Sequence, residues 1–151
     1  MGKPYTHHLY CHLIWTTWER LPLITPDIEP LLYAAIAAKC RELGAEPLAL
    51  GGLSDHVHLL VRFPRSMALA ALIQEVKGAS SHLVTHRLKP GNFFKWQGGY
   101  GAFTVSFEAL PTIIAYIQNQ KKHHADGTWR TDLERTEEEE KPNTAKAAPV
   151  S

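Results

Sequence analysis

Residues 46–64 read EPLALGGLSDHVHLLVRFP, two short apolar runs placed back to back and broken by Gly51-Gly52. Runs of this length, rich in Leu and Val and bounded by turn residues, pack as strands, either as a hairpin or as one bent strand. The segments on either side have a different period. Residues 26–43 carry Leu32, Ile36, Cys40 and Leu43 at helical spacing, with Thr25 as the cap, Pro26 at the first helical position and Gly44 as the stop. Ser66 can cap a second helix bearing Leu69, Leu72, Ile73 and Val76, weakened at Gly78 and extending through Leu83, Val84 and Leu88. Upstream, residues 7–19 (HHLYCHLIWTTWE) read as a strand. Downstream, residues 92–106 read as a loop and a strand, and residues 110–124 as a last helix with Pro111 in its first turn. The predicted fold class is α+β: a ferredoxin-like βαββαβ antiparallel sheet with helices on one face, plus a C-terminal helix. Many functions use that plan, so it selects none by itself.

Length and charge narrow the options. A chain of 151 residues fits one domain with a proper core. No apolar run reaches the roughly 18 residues of a membrane span, and MGKPYTHHLYCH has no signal-peptide core, so a cytoplasmic protein is expected. Cys11 and Cys40 lack metal or redox spacing and read as free thiols. Residues 126–151 hold seven acids against four bases, so this tail carries −3 and residues 1–125 carry +4 of the net +1. The expected organisation is one folded domain over 1–125 and an acidic, partly disordered tail over 126–151, with little to bury beyond residue 136. Residues 62–95 contain six Lys and Arg against Glu75 alone, a balance that suits a polyanion or an ordinary solvated face.

Two patterns carry chemistry. In SDHVHLL, His56 and His58 are two apart, so on a strand they share one face while Val57 and Leu59 take the other. Two imidazoles so placed can share a divalent ion, with a third ligand from elsewhere. Taken alone, so short a pattern arises by chance, and surface or hydrogen-bonded core histidines are the plainer reading of the pair. Asp55 can orient an imidazole, help bind metal, or serve as a turn residue. In YIQNQKKHH, Tyr116 and Gln120 are four apart and adjoin on a helix, bordering an apolar stripe of Leu110, Ile114 and Ile117. The amide oxygen of Gln suits a hard ion such as Mg²⁺. A boundary tyrosine with a wet hydroxyl is the plainer reading of Tyr116.

DHVHLLV on a strand, followed about sixty residues on by YIQNQKKHH on a helix, resembles the IS200/IS605 family of single-tyrosine HUH transposases. The resemblance runs from about His7 to His124 and includes HHLYCHLIWTTWER, VKGASSHL and FKWQGGYGAFTVS. It implies a DNA transposase that cuts and rejoins single-stranded DNA through a 5′-phosphotyrosine. It makes His56, His58 and Gln120 the ligands of Mg²⁺ or Mn²⁺ and Tyr116 the nucleophile. It also implies DNA hairpins at element ends as the substrate and a homodimer whose subunits can share active sites.

Other residues enter as candidates from the sequence. His123 lies three residues past Gln120 and seven past Tyr116 and is a candidate general base, although a histidine near a helix C-terminus also has a plain electrostatic role. Lys77, His82, His86, Arg87, Lys121 and Lys122 are candidates for phosphate contacts, with Trp96 or Phe94 for base stacking. His7, His8 and His12 read as sheet-surface histidines that could approach metal or DNA. Tyr100, in QGGYGAF, reads as a packing or turn residue. Two other readings stay open: a domesticated relative that binds hairpin DNA or RNA without cutting, and a replication or relaxase enzyme of the same chemistry.

Overall fold

The computed structural model describes residues 9–127 and 133–134. Four strands, β1 (Tyr10–Thr16), β2 (Glu46–Leu53), β3 (His56–Arg62) and β4 (Gly101–Val105), form one antiparallel sheet in the order β2-β3-β1-β4. The helices are α1 (Glu29–Glu42), α2 (Leu69–Leu83), α3 (Leu110–Gln118) and α4 (Gln120–Asp126). This is the ferredoxin-like order expected from the sequence. No helix among the described residues is long and apolar enough to cross a membrane.

Alternation along the central strands divides the interior in two. Cys11, Leu13, Trp15, Val57, Leu59 and Val61 face α1 and α2, where they meet Leu32, Ile36, Cys40, Leu72 and Val76. Leu60 faces the other way, into a second cluster with Ala49, Ile113, Tyr116 and Ile117. Both faces of β3 are therefore covered, and His56 through Val61 are all buried. Burying a Leu, Ile or aromatic side chain contributes about 1.5–3 kcal/mol, so α3 is held chiefly by Ile113, Tyr116 and Ile117. His56 and His58 share the Leu60 face, under α3 and α4, because strand side chains repeat every second residue.

Several boundaries differ from expectation for local reasons. The hairpin turns at Ser54-Asp55, and Gly51-Gly52 lie inside β2. An added Cβ at Gly51 would stand 2.1 Å from the Ile117 carbonyl oxygen, so this glycine admits the α3 backbone against the sheet. Helix α1 starts at Glu29 rather than 26: the Thr25 hydroxyl bonds the Asp27 carboxylate in a preceding turn, and Pro30 occupies the first helical turn. Ser66 does not cap α2, whose N-cap is Ala68. After Leu83 the chain continues as a π-helical turn, Val84–Leu88. The first strand is described as Tyr10–Thr16, and His7 and His8 lie outside the described residues. The last helix is two helices, broken at Asn119 (φ −106°, ψ 25°). Apart from Asp126, Gly127, Leu133 and Glu134, the tail over 126–151 lies outside the described residues.

Candidate functional site

The site begins with the two histidines of β3. Each has its Nδ1 engaged on the sheet side. His56 Nδ1 is 2.7 Å from Asp55 Oδ1, and His58 Nδ1 is 2.7 Å from His12 Nε2 on β1. Bonds of this kind set the ring orientation and tautomer of a metal-binding imidazole. Both Nε2 atoms then point away from these partners, towards α3 and α4. Arg20 adds a guanidinium nitrogen 3.8 Å from Asp55 Oδ2.

The break at Asn119 determines what the helices present. Asn119 Nδ2 donates to the Ala115 carbonyl at 2.7 Å, closing α3, and α4 restarts with Gln120. The Gln120 side chain is buried, its Nε2 donating to the Tyr116 carbonyl at 3.4 Å. Its Oε1 lies 3.1 Å from His56 Nε2 and 3.1 Å from His124 Nε2. Tyr116 is only 5 % exposed, deeper than the border position expected for it. Its ring stands edge-on to His58 with centroids 5.9 Å apart, and His123 stacks on it at 4.7 Å.

Glu134 completes the cluster. Its Oε2 accepts a 2.6 Å hydrogen bond from the Tyr116 hydroxyl and lies 3.0 Å from His58 Nε2. Its Oε1 is 3.1 Å from His58 Nε2, 3.3 Å from His56 Nε2 and 3.2 Å from His124 Nε2. Neighbouring Leu133 packs into the second core cluster with Leu60, Ile113 and Ile117.

These contacts divide the two imidazoles electrostatically. Burial pushes His56 towards neutrality, but its bonds to Asp55, Glu134 and Gln120 outweigh it and raise the pKa to about 9. Burial dominates at His58 and lowers its pKa despite Glu134. Burial opposes ionisation of Glu134, yet the bonds from His56 and His58 hold its carboxyl well below the usual carboxylate range. Asp55 is lowered by its bond to His56. A cation entering here would meet imidazole nitrogens, an amide oxygen and a carboxylate, donors that suit a divalent ion such as Mn²⁺ or Mg²⁺.

The structure thus brings His56, His58, Gln120, Tyr116 and Asp55 together in one chain. His123 lies on the face of the Tyr116 ring. The other candidates are dispersed. Lys77 donates to the Gln97 and Gly99 carbonyls at 2.8 and 3.1 Å and so holds the QGGYG loop. Exposed His82 and His86 lie tilted against each other with centroids 4.2 Å apart, near exposed Arg87, on the α2 side of the sheet and opposite the histidine face. Trp96, expected to stack on bases, is a core residue: it is buried, donates its indole N–H to Ser80 Oγ at 3.0 Å and packs edge-on against Trp15 and Phe94. Phe94 is buried with it. Lys121 pairs with Glu29 at 2.8 Å, and Lys122 is exposed. Both lysines line a cleft of about 370 Å³ beside Gln120. His12 is fully buried rather than at the sheet surface.

Sequence reasoning missed His124 and Glu134 and undervalued His12. His124 was within reach, since it continues the four-residue spacing of Tyr116 and Gln120. His12 lies on the same face of the neighbouring strand, beyond the reach of any local motif. Nothing local marks Glu134 among the acids of the tail.

Comparison with known proteins gives a consistent result. The sequence profile of the family described as IS200-like transposase matches residues 5–120. The ISDra2 transposase TnpA of Deinococcus radiodurans is 27 % identical over 126 residues, covering 79 % of this chain and 89 % of that protein. A crystal structure from Deinococcus radiodurans, described as a transposase, aligns with a TM-score of 0.60 at 27 % identity, over 80 % of this chain and 96 % of the other. A REP-associated tyrosine transposase bound to a REP hairpin aligns with a TM-score of 0.60 at 16 % identity, over 85 % and 76 % of the two chains, a likeness of fold alone.

Proposed function

The chain belongs to the IS200-like transposase family, and on that premise we propose that it cuts and rejoins single-stranded DNA hairpins through a phosphotyrosine intermediate. The observation that carries this reading is the meeting, within one chain, of the His56 and His58 Nε2 atoms, the Gln120 amide oxygen and the Tyr116 hydroxyl on one face of the sheet.

His56, His58 and Gln120 would hold Mg²⁺ or Mn²⁺, whose contribution when bound is to polarise the scissile phosphate and neutralise developing charge. Asp55 and His12 keep the two imidazoles aimed at that position. The Tyr116 oxygen forms a bond to phosphorus as the bond from phosphorus to the 3′-oxygen breaks. This leaves a 5′-phosphotyrosine and a free 3′-hydroxyl. Attack by a 3′-hydroxyl reverses the step, and the covalent link conserves the phosphodiester energy, so rejoining needs no nucleotide cofactor. A phenol with an ordinary pKa of about 10 must give up its proton at or before attack. The 2.6 Å bond to Glu134 orients the Tyr116 hydroxyl, and His123, stacked on the Tyr116 ring, is the candidate acceptor for that proton. The cleft lined by Lys121 and Lys122 is a route by which a charged strand could approach Gln120. A homodimer remains part of the proposal, and the approach of Tyr116 to His58 inside one chain supports a site assembled from one subunit.

A second reading, a relative that binds hairpins without cutting, draws on Glu134, whose carboxylate already occupies the hydroxyl of Tyr116. One experiment separates the two. The protein is incubated with single-stranded hairpin oligonucleotides and Mg²⁺ or Mn²⁺, and covalent adducts are resolved on a denaturing gel. The wild type should form an adduct, and Tyr116→Phe should lose it while retaining hairpin binding. An adduct persisting in Tyr116→Phe would remove Tyr116 as the nucleophile. Binding with no adduct across the substrates would favour the non-cutting reading.

A further inference from the structure

The geometry points to two further metal ligands: we propose that Glu134, from the C-terminal segment, and His124, from α4, bind the divalent cation together with His56, His58 and Gln120. The inference rests on the metal site proposed above and extends it.

The donor atoms themselves make the case. Four of them close a ring: Glu134 Oε1 to His56 Nε2 at 3.3 Å, His56 Nε2 to Gln120 Oε1 at 3.1 Å, Gln120 Oε1 to His124 Nε2 at 3.1 Å, and His124 Nε2 to Glu134 Oε1 at 3.2 Å. His58 Nε2 adjoins the ring, 3.1 Å from the same carboxylate oxygen. Adjacent donors around a six-coordinate cation with bonds of about 2.1 Å stand about 3 Å apart. The spacing across this cluster therefore fits a ligand shell as well as it fits the hydrogen bonds these atoms make with one another. Donor atoms of His56, His124 and Glu134 all fall within 4.8 Å of one another, as shared coordination requires.

Placement of the side chains agrees. Gln120 and His124 are four residues apart on α4, so they present their donors from one helical face. Glu134 is anchored next to Leu133, which is buried against Ile113, Tyr116 and Ile117. Glu134 is also the one carboxylate among the described residues that reaches the Nε2 side of the histidines. Asp55 binds the Nδ1 side and only orients. An anionic donor added to neutral imidazoles and an amide strengthens binding of a hard divalent ion. Three imidazoles favour a first-row transition-metal ion over Mg²⁺, and Mn²⁺ is the transition-metal ion of the two named above.

The test is a Mn²⁺ titration of the full chain, reading free Mn²⁺ by electron paramagnetic resonance, for the wild type, Glu134→Ala, His124→Ala and His58→Ala. Thermal melts check folding, and Glu134→Gln replaces Glu134→Ala if the latter does not fold. Glu134→Ala and His124→Ala should each weaken Mn²⁺ binding about tenfold or more, at least the loss seen when a mere outer-shell partner is removed. If His58→Ala loses binding while Glu134→Ala binds as well as or better than the wild type, Glu134 is not a ligand and this inference fails with the proposed site intact. Unchanged binding in His124→Ala removes that residue in the same way. If all three variants bind like the wild type, the proposed metal site fails as well.

Discussion

At the scale of single residues, the site depends on orientation as much as on identity. An imidazole offers two nitrogens, and which one faces a cation is decided by what holds the other. Asp55 does this for His56, and His12 does it for His58, each at 2.7 Å. Asp55→Ala keeps the turn backbone and removes only the carboxylate. It should weaken Mn²⁺ binding about 10–100-fold, measured by the same titration, with little change in the melting temperature. An unchanged affinity would mean that the ring is held by its packing alone. The histidine pair was legible in HVH because period two is a property of any strand. The role of His12 was not, because the partner of His58 is contributed by a strand 46 residues away.

Secondary-structure elements control how closely the helices can approach the sheet. The backbone of α3 lies against β2 at Gly51, where any Cβ would meet the Ile117 carbonyl oxygen at 2.1 Å. Gly51→Ala must push α3 outwards. We expect a loss of about 1–3 kcal/mol in urea denaturation, the usual cost of overpacking, together with reduced adduct formation because Tyr116 and Gln120 move with the helices. Normal stability with normal adduct yield would show that α3 tolerates the shift. Tyr116 and Gln120 were recognisable as neighbours from their spacing. The break at Asn119 between them was not, since YIQNQKKHH carries neither Pro nor Gly to announce it.

At the scale of the whole molecule, the described part of the acidic tail belongs to the body. Leu133 is buried in the cluster that holds α3 to the sheet, and Glu134 reaches four side chains of the site. Leu133→Ala should destabilise the protein by about 2 kcal/mol, at the lower end for a buried leucine, read from the urea midpoint. A negligible change would show that the segment does not dock in solution. By itself the sequence determined the order of elements, the face shared by His56 and His58, and the adjacency of Tyr116 and Gln120. Each follows from a period of two or 3.6 residues, a local property of the chain. Only the tertiary structure decided that these two local faces meet, that Trp96 is spent on the core, and that His12 and Glu134 join the site. The physical reason is that contacts between residues remote in sequence are selected by how buried surfaces fit together, and no local period encodes that fit.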